Sequence, residues 1–327
     1  EIIHQKFMQS FEQLLKQFEE YFNKRHFPAE PASLYDASQH ILSIGGKRVR
    51  PVCVLMGNEL FDAIKPDAWQ VATAIELFHN FSLIHDDIMD EAPLRRGKQT
   101  VHAIHGVNTA ILAGDVTLTM AYDYLNKVQG DVKPILSLFN KTALEVSEGQ
   151  QMDMDFEKRA TVHLDEYVRM IELKTSVLLA ASLKLGAMIG GASVGNTDHI
   201  YEFGRNLGIA FQIQDDYLDC FGDPAKFGKQ VGGDIKANKK TFLMIHALES
   251  ANATQQQQLV ELMQTNPADK VEQVISIFKS AGVDEWAMEL KNQYIEKAMQ
   301  HLEDIAVLSK RKEPLQQLAQ FLVQREY

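Results

Sequence analysis

Apolar residues that recur every three or four positions, almost without interruption, constrain this chain more than any other feature. Phe7, Phe11, Leu14, Leu15 and Phe18 set the pattern, the mark of a helix with one apolar face. The same spacing predicts helices over 67–90, 108–128, 134–152, 164–190, 197–221, 240–250, 254–264, 268–280, 283–306 and 313–324. Alternating runs bounded by hairpin turn residues are nearly absent. The expected fold class is all-α, with long helices. At 327 residues, 45% of them hydrophobic, the chain can bury a sizeable core. Nine prolines and nineteen glycines form no linker-like stretch, so one domain over 1–327 is expected.

Charge and cysteine usage exclude several functions. A formal charge of −11 argues against nonspecific nucleic-acid binding, which needs a basic surface to neutralise phosphates. Cys53 and Cys220 lie far apart with no C-x-x-C spacing, which suits a reducing compartment and two ordinary core thiols. His102 and His105 have no carboxylate or Cys partner in context, so a zinc site is not expected. Met152 and Met154 read as packing residues. From Glu1 the chain is amphipathic and charged, without the regions of a signal peptide. The most apolar window, Ser176 to Val194, is interrupted by Lys184 and small residues; it reads as a core helix, with no integral membrane segment and a cytoplasmic location.

Two acidic motifs stand out against this background. In Asp86-Asp87-Ile88-Met89-Asp90 the first and last aspartates are one helical turn apart, and Asp215-Asp216-Tyr217-Leu218-Asp219 repeats the spacing. A solvated acidic face is the plain reading of one such motif. Here both follow apolar helical residues, Phe81, Leu83 and Ile84 before the first and Phe211 and Ile213 before the second. Pro93 and Gly97 end the first helix and Phe221-Gly222-Asp223-Pro224 the second, so each motif lies near a helix C-terminus, where the dipole disfavours anions. Crowded carboxylates there raise one another's pKa unless a cation compensates. Oxygen ligands without cysteine favour a hard ion such as Mg²⁺, typically shared with substrate phosphates.

Basic residues cluster near these carboxylates in sequence. Arg95-Arg96-Gly97 follows the first motif, Lys226, Lys229, Lys236, Lys239 and Lys240 follow the second, and Lys47, Arg48 and Arg50 follow the Gly45-Gly46 turn. Each run alone could be a solvated charge run. Jointly, three basic patches and two acidic clusters match a site for two diphosphates and several Mg²⁺, because arginine binds phosphate oxygens in pairs. The glycines of 224–241 are equally compatible with a mobile lid.

With these residues in view, the chain resembles the trans-isoprenyl diphosphate synthases, the polyprenyl synthetase family, across nearly its whole length. The matching blocks are Gly45-Gly46-Lys47-Arg48-x-Arg50-Pro51, Glu76-Leu77-x-His79, the first motif with Arg95-Arg96-Gly97, Gly149-Gln150-x-x-Asp153, Lys174-Thr175, Phe211-Gln212 with the second motif, and Gly228-Lys229-x-x-Gly232-x-Asp234-Ile235. The resemblance implies an isoprenoid-synthase helical fold around a central cavity, and a homodimer. It also implies condensation of isopentenyl diphosphate with an allylic diphosphate (dimethylallyl, geranyl or farnesyl) by ionisation, condensation and elimination.

Roles carry over from the family by matching position. Asp86, Asp87, Asp90, Asp215, Asp216 and Asp219 would bind Mg²⁺, three ions per site, and through it the allylic diphosphate. Arg95, Lys174, Lys229 and Lys239 would assist. Lys47, Arg50, His79 and Arg96 would hold isopentenyl diphosphate. The Thr175 hydroxyl and the carbonyls of Gln212 and Lys174 would stabilise the allylic cation. Some relatives end in a basic tail; this chain ends Gln324-Arg325-Glu326-Tyr327 and its terminus receives no role.

The apolar tail of the product must run beside the first motif's helix, so a residue about one turn before Asp86 can act as its floor. Phe81 and Ser82 occupy the fifth and fourth positions before it. In the resembling family, an aromatic at the fifth position alone goes with geranylgeranyl products, and bulk at both with farnesyl. The floor could instead be Phe78, Leu77 or a residue of another helix. A class I terpene cyclase is the nearest enzymatic rival, but cyclases usually carry an Asn/Ser/Glu-type second metal motif. A noncatalytic subunit of a heteromeric synthase is a further alternative; such subunits typically lose one aspartate cluster, and both are intact here.

Overall fold

The structure is a computed structural model, described for residues 8–223 and 231–324. Phe7 of the first apolar face, and Lys226, Gly228 and Lys229 of the basic loop, lie outside the described residues. Contacts divide the chain into two compact units. One comprises Glu1–Asn140, Ala181–Ile200 and Ala306–Pro314, the other Lys141–Ala180, Tyr201–Ile305 and Leu315–Tyr327.

The expected all-α class holds. The order is α1 (Phe11–Phe22), α2 (Ala32–Ser43), α3 (Val49–Phe61), α4 (Pro66–Met89), β1 (Leu94–Arg95), β2 (Lys98–Gln99), α5 (Val101–His105), α6 (Val107–Leu125) and α7 (Val132–Lys158). Then follow α8 (Leu164–Ile171), a π-helical turn (Glu172–Ser176), α9 (Val177–Ile189) and α10 (Val194–Phe221). The chain continues through α11 (Gly233–Lys236), α12 (Phe242–Ser250), α13 (Ala253–Thr265), α14 (Lys270–Ser280), α15 (Val283–Glu303) and α16 (Ser309–Val323). α2 was not expected, and α16 starts earlier than the sequence pattern suggests, with Pro314 inside it. The helix expected over 164–190 is broken by the π-turn.

In the first unit α4 is the central helix. It starts with proline at its first position, where a missing N–H costs nothing. From Val71 to Phe78 every residue is buried; beyond that the buried set narrows to Asn80, Ile84 and Asp87, a single stripe at helical spacing. In the second unit, Ile209, Ile213 and Cys220 of α10 join Tyr167, Met170, Phe242, Leu243 and Phe278 in the core, with Met152 packed against it. Asp216 falls on the same stripe of α10 and is 2% exposed. Both cysteines are buried free thiols, as expected, and burial pushes Cys53 up to about 12.

Candidate active site

The first motif forms the end of α4. Asp90 is the C-cap, its N–H bonded to the Asp86 carbonyl, and Glu91 turns the chain away at φ 50°. One helical step separates opposite environments: Asp90 is exposed and Asp86 half-buried, whereas Asp87 is 2% exposed. Arg95 grips Asp87 with a fork of two bonds, Nε to Oδ2 at 2.9 Å and Nη2 to Oδ1 at 2.7 Å. Bidentate charge-assisted pairs of this kind are among the strongest polar contacts. Arg96 and Gly97 both have positive φ, 52° and 76°. They close a two-residue hairpin in which Arg95 pairs with Lys98 and Leu94 with Gln99. The segment after the first motif is thus a turn that fixes where Arg95 points, while the Arg96 guanidinium bonds the Gly45 carbonyl.

The basic patch at the start of α3 separates into three roles. Lys47 is exposed. Arg48, left-handed at the N-cap of α3, is committed to the protein: it pairs with the buried Glu76, bonds the Leu42 carbonyl and lies over the Phe22 ring. Glu76 also accepts from Asn80 Nδ2 at 3.0 Å. Arg50 reaches His79 Nε2 at 3.4 Å, and its own Nε is buried without a hydrogen-bond partner. Burial, and then the charges of Arg50, Arg96, Arg95 and Arg48, holds His79 well below the ordinary imidazole range. A neutral His79 can accept from Arg50. A half-buried arginine whose buried Nε–H is unsatisfied, among further arginines, fits an anionic ligand.

Phe81 lies one turn before the motif, its ring 5.6 Å from that of Phe78 and 4.9 Å from that of His85. Phe78 in turn meets Phe139 edge-on at 5.4 Å. Ser82 donates to the His79 carbonyl at 2.7 Å, so its hydroxyl is turned back onto its own helix.

The second motif occupies the last turns of α10, and again the second aspartate is the inward one. Asp216 accepts from the Tyr167 hydroxyl at 2.7 Å and from Gln212 Nε2 at 2.9 Å. Burial pushes its carboxyl up to about 6. Asp219 accepts the backbone N–H of Asp234 at 3.0 Å, and burial raises it too. Burial opposes the charge on Lys239, but Asp216, Asp234, Asp153 and Asp219 more than offset that and raise its pKa. Lys239 stands 3.8 Å from Asp234.

Lys174 and Thr175 sit on the π-turn, where the Val177 N–H reaches back five residues to Glu172. Lys174 Nζ pairs with Asp153 at 2.6 Å. Two glycines make room for the turn: a Cβ on Gly149 would stand 2.4 Å from the Lys174 nitrogen, and one on Gly208 would stand 2.8 Å from the Ser176 Cα. The extra residue changes the direction in which Lys174 and Thr175 project, and such turns recur at functional sites.

The donor chemistry of both clusters fits Mg²⁺. Carboxylate oxygens lie at helix C-termini, and Asp216 and Asp219 of the second cluster are raised by burial and by the nearby charge of Asp234. Among the described residues no three Asp, Glu, His or Cys side chains converge as a complete cage. Mg²⁺ does not demand one, since substrate phosphates and water normally complete its octahedron. Asp87 and Asp216 are the most buried positions of their motifs, held by Arg95 and by Tyr167 with Gln212. Sequence reasoning missed Tyr167, which no motif marks; its partner Asp216 becomes visible only when α8 and α10 pack. Lys229 lies outside the described residues.

An all-α chain with two Asp-Asp-x-x-Asp clusters at helix ends, each beside lysine or arginine, defines a prenyl-transferring synthase. The family model of polyprenyl synthetases matches residues 31–280, and the chain belongs to that family and is a prenyltransferase. It is 39% identical to a short chain isoprenyl diphosphate synthase of Methanothermobacter thermautotrophicus, over 91% of this chain and 92% of that one. It is 38% identical to a geranylgeranyl diphosphate synthase of Saccharolobus solfataricus, over 90% of each. A crystal structure of a geranylgeranyl pyrophosphate synthase superposes with a TM-score of 0.92 at 42% identity, over 98% of this chain and 100% of that one. The Pyrococcus horikoshii geranylgeranyl pyrophosphate synthetase gives 0.90 at 38% identity, over 96% and 98%.

Proposed function

We propose that this chain joins isopentenyl diphosphate head-to-tail to an allylic diphosphate, with geranylgeranyl diphosphate as its main product. The observation that carries the reading is the second carboxylate cluster. It is an aspartate cluster like the first, with Asp216 and Asp219 raised in pKa by burial and by the nearby Asp234 and Lys239 charged beside them; the class I cyclase pattern lacks this. Asp86, Asp90, Asp215 and Asp219, with Asp87 and Asp216 behind them, hold Mg²⁺. When bound, three such ions supply Lewis-acid neutralisation of the departing diphosphate.

The remaining roles belong to the chain itself. Arg95, Lys174, Lys229 and Lys239 bind the allylic diphosphate. Lys47, Arg50, His79 and Arg96 bind isopentenyl diphosphate, with the unsatisfied Arg50 Nε and a neutral His79 as donors and acceptors of fixed geometry. Ionisation leaves an allylic cation on the substrate, which Thr175, the Lys174 carbonyl and Gln212 stabilise. The isopentenyl double bond attacks it, and the released diphosphate takes the proton then lost. Phe81, pinned between Phe78 and His85, is the floor that limits the tail, and Ser82 beside it is too small to shorten the product further. The chain acts as one catalytic domain in the cytoplasm, where no helix among the described residues is long and apolar enough to cross a membrane. It acts as a homodimer, a state supported by the exposed apolar side chains of Ile104, Val107, Ile111 and Leu112 on α5 and α6.

The test is incubation of the purified chain with labelled isopentenyl diphosphate, Mg²⁺ and each allylic primer in turn, followed by sizing of the dephosphorylated products. Geranylgeraniol is expected. A main product shorter than that overturns the length assignment, and turnover only after addition of a second chain overturns the homomeric enzyme.

A further inference from the structure

Lys270 is a buried ammonium in a place that stability alone does not favour. It is 2% exposed and is the first residue of α14, the end of a helix where the dipole repels a cation. Its partners are two neutral amides: Nζ donates to the side-chain oxygen of Asn238, and to that of Asn266 at 3.1 Å. Burial lowers its pKa. Removing an ammonium from water without a carboxylate in return is costly, so a structural role would be better filled by an apolar residue.

What Lys270 holds is informative. Asn238 has φ 54°, in the left-handed region. Its amide is fixed at both ends, the oxygen by Lys270 and the nitrogen by the Met263 carbonyl at 3.2 Å. Asn238 closes α11, its N–H bonded to the Ile235 carbonyl, and the next N–H, that of Lys239, returns to the Asp234 carbonyl at 2.9 Å. The other end of this short arm is docked as firmly. Gly232 N–H bonds the Asp219 carbonyl at 2.6 Å, and a Cβ on Gly232 would stand 2.3 Å from Val271, the neighbour of Lys270. Residues 232–239 are therefore a braced arm, and its last residue is Lys239, 3.8 Å from Asp234 and held charged by Asp216, Asp234, Asp153 and Asp219.

We infer that Lys270 and Asn238 are positioning residues that fix the turn from which Lys239 reaches the second carboxylate cluster. The inference rests on the reading of Lys239 as a diphosphate-binding cation, and adds two residues that no motif of the sequence marks. Lys270→Met keeps the apolar stem and removes the bonds to both amides.

Two measurements test it. Hydrogen exchange of the ligand-free protein reads the arm directly: Lys270→Met should speed exchange at 236–241 and leave other segments unchanged. Calorimetry with Mg²⁺ and inorganic pyrophosphate reads the consequence. The substitution should weaken binding about tenfold, the scale of a lost charged hydrogen bond, but should have no further effect in a Lys239→Ala background. Equal loss in both backgrounds, or unchanged exchange at 236–241, overturns the inference. Should Lys270→Met not fold, Asn238→Ala removes the shared Lys270–Asn238 bond, together with the bond to the Met263 carbonyl, and must give the same non-additivity with Lys239→Ala. If Lys239→Ala leaves pyrophosphate binding intact while Lys270→Met still loosens 236–241, the diphosphate role of Lys239 falls and the positioning stands.

Discussion

Asp86 and Asp87 are adjacent in the chain and opposite in environment, and so are Asp215 and Asp216. In each motif the second aspartate lands on the buried stripe of its helix, with Ile84 in α4 and with Ile213 and Cys220 in α10. Helical spacing puts the first and last aspartates of each motif on one face but does not show that the second turns inward, because the donors that meet the inward carboxylates, Arg95 and Tyr167, come from other elements. Phe81 makes the residue-scale prediction. It is held between the rings of Phe78 and His85, and removing it opens space beside the motif's helix without touching a carboxylate. Phe81→Ala should shift the product to longer chains, with the rate of the first condensation changed less than threefold, about the effect of 0.6 kcal/mol. Unchanged product length, read by chromatography of the dephosphorylated alcohols, would refute Phe81 as the floor.

The π-turn between α8 and α9 shows what elements add. The sequence pattern runs through 164–190 as one helix, because apolar periodicity records only which side faces the core and a single inserted residue barely disturbs it. The turn is made evident by what lies against it: the backbone of α7 at Gly149 and of α10 at Gly208. Gly149→Ala places a methyl group 2.4 Å from the Lys174 nitrogen, where backbone must move. A cost of about 1–3 kcal/mol is expected for such overpacking. The turnover rate should fall at least tenfold, because Lys174 and Thr175 ride on the displaced segment. A drop in melting temperature with unaltered turnover would show that the turn tolerates the shift. The hairpin of β1 and β2 is a parallel case: the Arg96-Gly97 pair could be read as a turn, but not that it aims Arg95 back at Asp87.

For the whole molecule, the clearest pH dependence outside the clusters lies at His26. It is 7% exposed, its Nδ1 is 2.7 Å from the Tyr124 hydroxyl and its Nε2 is 2.9 Å from the Phe22 carbonyl. Burial lowers its pKa to about 4, against the opposing pull of the Phe22 carbonyl. A histidine lowered in the folded state binds a proton first in the unfolded chain. Its contribution to stability is therefore constant above about pH 6.5, falls as pH drops from there toward 4, and levels off below. Between pH 7.5 and 4.5 the loss from this group should reach about 2–3 kcal/mol. His26→Phe should shrink the pH dependence of urea unfolding by that amount, and an unchanged dependence would refute the assignment. By itself the sequence determined the helical class, the two aspartate motifs with their basic companions, and through them the chemistry, because helical spacing and charge are local properties of the chain. Only the tertiary structure decided which aspartate of each pair turns inward, where helix 164–190 breaks, and which lysine braces the arm of Lys239. Those depend on donors and backbones brought together from distant positions, which no local pattern encodes.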